Sequence, residues 1–205
     1  MKLYYVHDPM CSWCWAFRPV WQSLKAQLPD NVNLHYLLGG LAADSDAPMS
    51  AAVQRMVQGH WQKIQRVVPQ TVLNFDFWEL CEPRRSTYPA CRAVIAARAQ
   101  DVSNEDAMIL AIQQAYYLQA QNPSDDEVLT ACADSIGLNT KQFASDLNSP
   151  ETERQLMYEI GLTQCIGAQG FPSLMAEVRG GSHNISLDYL SAQPMLQQIQ
   201  GLLAD

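Results

Sequence analysis

Residues Lys2 to His7, KLYYVH, are dense in β-branched and aromatic side chains and end at Asp8-Pro9, which predicts a buried strand running into a turn. From Cys11 to Leu28 the period changes. Trp15, Phe17, Val20, Trp21, Leu24 and Leu28 recur at three- and four-residue steps, as on one face of a helix, until Pro29-Asp30 stops it. Residues 31 to 41, NVNLHYLLGGL, have the apolar density of an interior strand, and the double glycine marks where the backbone leaves the sheet. Strand, helix and strand form a βαβ unit. A right-handed crossover in such a unit puts the helix N-terminus at the carboxyl edge of the sheet.

From Met49 to about Gly167 the pattern is helical: AAVQRMVQGHWQKIQRVV, PACRAVIAARAQ, EDAMILAIQQAYYLQAQ, DEVLTACADSIG and TKQFASDL all carry helical period and propensity. Asn104 to Asp106, Ser124 to Glu127 and Asn139 to Gln142 offer N-cap residues with acidic or amide groups in the first turn. After this block come two short strands, about 173 to 179 and 183 to 187, around the hairpin signal Gly180-Gly181, and a last helix from about Asp188 to Leu203. The order predicts a discontinuous α/β fold: an N-terminal part over 1–47, a helical insertion domain over 48–166 and a C-terminal part over 167–205. No internal repeat or low-complexity tract interrupts it.

With 48% hydrophobic residues among 205, the chain can bury a substantial core. Lys plus Arg number 13 against 21 Asp plus Glu, a formal charge of −8 that repels phosphate backbones and anionic lipid, so nucleic acid is excluded as a natural partner. No window approaches the roughly 18 apolar residues of a membrane span, and MKLYYVHDPM lacks the form of an export signal. The expected location is the cytoplasm.

Six cysteines are too few for a disulfide scaffold, and in a reducing compartment a Cys-x-x-Cys pair belongs more often to catalysis or metal binding than to architecture. Cys11 and Cys14, in HDPMCSWCWAF, are such a pair at the start of the first helix. There the sulfur of Cys11 would lie near unpaired backbone N–H groups and the positive end of the helix dipole, which favour thiolate. Cys11 is then the nucleophile, and Cys14, one turn further in, the thiol that resolves a mixed disulfide. Zinc would need two further ligands, and Cys81, Cys91, Cys132, Cys165 and the four histidines offer no second closely spaced pair. No metal site is expected.

With DPMCSWCW set between a strand and a helix, and GAQGFPSL at 167–174 before a later strand, the chain resembles the thioredoxin-fold disulfide oxidoreductases of the DsbA family, and within it the FrnE-like, predicted protein-disulfide isomerase branch. The resemblance covers nearly the whole chain and implies a thioredoxin fold, βαβ…ββα, interrupted by a helical insertion. It also implies that Pro172 is a cis-proline facing the cysteines, exposing the Phe171 backbone to pair with an extended peptide or glutathione. The other reading of Pro172 is an ordinary trans proline at a strand start. Two departures stand out. Tyr5 occupies the position, six before the first cysteine, where relatives commonly keep a buried carboxylate, and the dipeptide between the cysteines is Ser12-Trp13.

The implied activity is thiol-disulfide exchange or isomerisation with protein or low-molecular-weight disulfides, glutathione among them, without a bound cofactor. Ser12, Trp13, Phe171 and Pro172 are the expected substrate-contacting residues. Trp15 and Phe17 serve either that rim or the packing of the helix. Arg84, Arg85 and Arg92 offer cations for a carboxylate, against the plainer reading of solvated charge. Cys81, Cys91, Cys132 and Cys165 read as buried free thiols, and Met108, Ile112, Tyr116 and Tyr117 as core. His7 and Asp8 sit beside the motif, placed to tune Cys11 or to move protons, against the plainer reading of a strand-end histidine as a hydrogen-bonding cap. The rivals are a glutathione-dependent transferase or isomerase, of the kappa-class or 2-hydroxychromene-2-carboxylate isomerase type, and a partner-binding module that does not use its thiols. The former usually has serine at the first cysteine position.

Overall fold

The computed structural model describes residues 1–204. Its elements run β1 (Lys2–His7), α1 (Ser12–Lys25), β2 (Asn33–Leu38), α2 (Ala51–Val67), α3 (Phe77–Leu80), α4 (Tyr88–Gln100), α5 (Asn104–Tyr117), α6 (Asp126–Ser135), α7 (Thr140–Leu147), α8 (Pro150–Cys165), β3 (Ser173–Val178), β4 (Gly181–Ile185) and α9 (Gln193–Ala204). One sheet has the order β2-β1-β3-β4. β1 and β2 pair in parallel from Lys2 opposite Asn33 to His7 opposite Leu38, while β3 runs antiparallel to β1 and pairs with β4 across a hairpin closed by Val178 and Gly181. Gly180 and Gly181 both have positive φ, which is why this turn takes glycine.

Alternation along β1 sorts its side chains onto two faces. Leu3 and Tyr5 meet Phe17, Trp21 and Leu24 of α1 and Leu196 and Ile199 of α9. Tyr4 and Val6, with Leu37 and Met175, face the other side and are covered by Leu162, Ile166 and Phe171. The helices between β2 and β3 bury a third cluster around Trp61, Phe77, Met108, Ile112, Tyr116 and Tyr117, which Met10, Ala16 and Leu38 join from the sheet and α1. The helical block is thus packed directly onto the cysteine-bearing turn.

Element order agrees with expectation, and the differences have local causes. α1 ends at Lys25, three residues short of the expected Leu28, with Ala26 as its C-cap and Pro29 excluding Leu28 from the helix. Of the expected caps, Asn139 accepts from the amide of Gln142, whereas α5 starts one residue earlier, after Ser103, and α6 is preceded by Asp125. α8 was not marked by periodicity. Its buried positions are Thr152, Leu156, Glu159 and Thr163, three of them polar, so the stripe carries no apolar signal. The cue was the cap: Ser149 accepts from the Thr152 amide, Pro150 is at the first turn, and Glu151 and Glu153 follow.

Candidate functional site

Cys11 is the N-cap of α1, with extended backbone and no side-chain bond to the helix amides. Its amide donates to the carbonyl of Asp8 at 3.0 Å, and its own carbonyl accepts from Trp15 at 3.1 Å, so the helix begins at the cysteine. The Cys11 Sγ donates to the carbonyl oxygen of Phe171 at 3.4 Å. Cys14, on the first turn, has no exposed surface, whereas Cys11 keeps 6%. Both thiols are free. Burial first, then the hydrogen bond to the Cys11 sulfur, hold the Cys14 thiol well above the ordinary range.

The Phe171-Pro172 peptide is cis. Pro172 is buried, and the Phe171 ring lies over Gly39 at the exit of β2, where a Cβ would come within 1.8 Å of the ring. Gly40 has φ +61°, and a Cβ there would come within 2.5 Å of Ile160 and 2.7 Å of Tyr88. The double glycine therefore does more than turn the chain. Its bare backbone lets the proline loop, α4 and α8 converge beside Cys11. The sequence marks the pair only as a turn.

In front of Cys11 lies a cleft of about 240 Å³. Cys11, Ser12, Trp13 and Phe171 line it from the sheet side, and Met49, His60, Trp61, Arg84, Arg85 and Tyr116 from the helical block. Pro172 and Cys14 lie behind this lining. Trp13 is half-buried, with its ring edge-to-face with Tyr189 at 5.2 Å and Lys63 over it at 5.9 Å. Trp15 stacks on Tyr117 and donates to the Val72 carbonyl, while Phe17 has no exposure and is core. Of the arginines, Arg92 is buried against Asp44 and Glu153, away from the cleft. Arg84 pairs with Asp125 at 2.6 Å, and Arg85, half-buried on the cleft wall, has no ion-pair partner among the described residues.

The turn that offers Cys11 is held from several sides. Tyr117 donates through its hydroxyl to the Met10 carbonyl at 2.7 Å, an α5 contact that the sequence did not reveal. Asp8, fully buried, accepts from the Met10 amide, the Leu41 amide and the Thr87 hydroxyl. Burial pushes its carboxyl upward against the pull of those donors. Tyr5 stacks on Trp21 at 4.2 Å and on His7 at 5.1 Å, and burial holds its phenol well above the ordinary range. His7 is also buried, and its Nε2 has no hydrogen-bond partner among the described residues.

The expectation that Cys81, Cys91, Cys132 and Cys165 are all buried needs correction. Cys91 and Cys132 are buried, but Cys81 is half-buried and Cys165 is exposed at the end of α8, where only one narrow face of the helix is covered. Met108, Ile112, Tyr116 and Tyr117 are core, as their spacing indicated. Among the described residues no three His, Cys, Asp or Glu side chains converge as ligands of a metal would, and no helix is long and apolar enough to cross a membrane.

A βαβ half with a cysteine pair at the head of its helix, a ββα half entered through a cis-proline, and helices inserted between them define a thioredoxin-fold protein of the DsbA type. A thioredoxin family profile matches residues 4–184, and the chain belongs to that family. Among solved structures it is similar to a candidate protein disulfide isomerase from Nitrosomonas europaea, with a TM-score of 0.85, 23% identity and coverage of 99% of this chain and 97% of that one. The cytosolic disulfide reductase DsbM from Pseudomonas aeruginosa follows at TM-score 0.79 and 21% identity over 100% and 99% of the two chains; its structure with GSH gives 0.78. These likenesses speak to the fold. Curated relatives are ClpXP adapter proteins SpxH: that of Halalkalibacterium halodurans is 25% identical over 80% of this chain and 54% of its own length, and that of Bacillus subtilis 22% over 85% and 57%. The chain spans about half the length of the curated relatives it matches.

Proposed function

We propose that this chain is a thiol-disulfide oxidoreductase that works through Cys11 and Cys14. The observation that carries the reading is the Cys11 thiol at a helix start, bonded to the carbonyl before a cis-proline and opening on a cleft, with a buried second thiol one turn behind it. In reduction, the Cys11 thiolate attacks one sulfur of a substrate disulfide. The other sulfur leaves as a thiolate and takes up a proton, and Cys11 is left in a mixed disulfide. Cys14, having lost its proton, attacks the Cys11 sulfur, releases the second substrate thiol and closes the Cys11–Cys14 disulfide. Oxidation or isomerisation of a client uses the same steps in reverse or in part.

The cleft suits a small or extended substrate, and a glutathione-type thiol would set its carboxylate against Arg85, with Ser12, Trp13 and Phe171 flanking the sulfur and Pro172 shaping the loop. Residues 48–166 act as an insertion domain that roofs the cleft, and the cytoplasm is the compartment in which this chemistry would run as reduction. Replacing Cys14 with Ala should trap partners as mixed disulfides on Cys11. Reduction of insulin or of oxidised glutathione should disappear in Cys11→Ser, and wild-type turnover in that variant would overturn the proposal. The kappa-class type of glutathione enzyme remains the rival at the same cleft: it would bind glutathione tightly without turning over the dithiol. Similarity to the SpxH adapters favours one other reading, a protein-binding adapter, in which replacement of both cysteines with Ser leaves partner capture intact.

A further inference from the structure

Asp8 has no exposed surface, and its neighbours leave little of it unbonded. Oδ1 accepts from the Met10 amide at 2.8 Å, while Oδ2 accepts from the Leu41 amide at 2.7 Å, the Thr87 hydroxyl at 2.6 Å and, more weakly, the Cys91 thiol at 3.5 Å. Its main-chain carbonyl receives the Cys11 amide. A buried carboxylate that accepts from four donors on three separate stretches of chain is an anchor, because it fastens those groups to one another and would be costly to leave unpaired. The groups are informative. Met10 immediately precedes Cys11, Leu41 follows the double glycine, and Thr87 precedes α4. The Thr87 hydroxyl also accepts from the Ala42 amide, and the amides of Thr87 and Tyr88 donate to the Ala42 carbonyl, so this corner is cross-bonded throughout. Two and three residues before Thr87 stand Arg85 and Arg84 on the cleft wall.

We infer that Asp8 is a positioning residue which, through Thr87, locks the arginine-bearing segment 84–87 of the helical block to the turn that presents Cys11, so that thiol and cation face the same substrate in fixed register. This rests on the oxidoreductase reading for its purpose, but the register itself is measurable without turnover. A cation held near a thiol favours an anionic reagent over a neutral one of the same shape, and the preference falls when the cation drifts away.

The test uses the full chain with iodoacetate and iodoacetamide, following modification at Cys11 alone by peptide mass spectrometry. Thr87→Val keeps the shape of the side chain, removes the hydroxyl and leaves the Asp8 carboxylate one donor short. The iodoacetate-to-iodoacetamide rate ratio at Cys11 should fall by about threefold in Thr87→Val. Thr87→Ser, which restores the hydroxyl, should stay within about 1.5-fold of the parent. A merely structural role would lower the melting temperature of Thr87→Val and leave the ratio of the folded protein unchanged. That result, or an equal fall in Thr87→Ser, overturns the inference. Disulfide turnover that survives in Cys11→Ser would overturn the oxidoreductase reading and leave this measurement standing.

Discussion

His7 closes β1 one residue before Asp8, and the fold treats it as an aromatic ring. It stacks on Tyr5, meets Tyr36 edge-on at 5.7 Å and keeps 1% of its surface. Burial, then the Arg18 and Arg98 cations, push its imidazole down to about 3, with Asp106 opposing weakly. Unfolded, the ring titrates near 6.5. At pH 7 the folded ring is neutral and the unfolded ring mostly so. As the pH falls below 6.5 the unfolded chain takes it up while the folded protein refuses it, so stability drains away at about 1.4 kcal/mol per pH unit until the folded value is reached. At pH 4.5 the loss should be about 3 kcal/mol, a large share of a typical net stability. His7→Phe keeps the stacked ring and cannot ionise, so it serves as the reference in which every other titration cancels. Urea unfolding of both proteins at pH 7, 5.5 and 4.5 gives the difference directly, and the variant should gain on the parent by about 3 kcal/mol across that range. A gap that stays constant within about 0.5 kcal/mol would refute the reasoning, since it would mean that the imidazole ionises inside the fold.

Because burial raises the Cys14 thiol, collapse of a mixed disulfide on Cys11 should accelerate about tenfold per pH unit between pH 7 and 9; a chromophoric thiol loaded on Cys11 reports its own release, and a flat profile would contradict the resolving role proposed for Cys14. Gly39→Ala must displace the Phe171 ring, so it should cost about 1–3 kcal/mol in chemical denaturation and slow the reaction of Cys11 with a disulfide; wild-type values for both would show that the loop does not lean on β2. Glu159 receives the Leu38 amide of β2 and pairs with Arg98, which also holds Glu105. Glu159→Ala leaves a strand amide and a half-buried guanidinium without that partner, for an expected loss of about 3 kcal/mol, and a loss under about 1 kcal/mol would mean that water replaces it readily.

Much of the fold was legible because it is written in local period. The apolar run of β1 has the same limits in sequence and structure, and the glycines of the β3–β4 hairpin supply the positive φ that marked it. The place of the cysteine pair was legible for the same reason, since strand, turn and helix start are contiguous and the two cysteines fall at their junction. Where period failed, polarity was the cause. α8 buries Thr152, Glu159 and Thr163 beside a single leucine, and Glu159 is there to satisfy a strand amide and an arginine, a purpose that no hydropathy pattern encodes.

The rest of the site was hidden because it is assembled from stretches far apart in the chain. Arg84, Arg85 and Arg92 look alike in sequence, yet one pairs with Asp125, one stands on the cleft wall and one is buried between Asp44 and Glu153. Arg84 and Arg85 lie on the segment before α4 and Arg92 on the helix itself, and only the packing of the two separates their roles. Tyr117 reaches the Met10 carbonyl across 107 positions and Thr87 reaches Asp8 across 79. Such contacts have no spacing rule, because the donor needs only a hydroxyl and the acceptor only an oxygen. The sequence shows an Asp next to Pro9 between a strand and a helix, and the structure buries that turn where β1, α1 and the helical block close on it. A carboxylate in that position is tolerable only if other elements bring it donors. The buried charge is therefore itself a forecast of long-range contacts: it implies that several distant amides or hydroxyls converge there, even where it cannot name them.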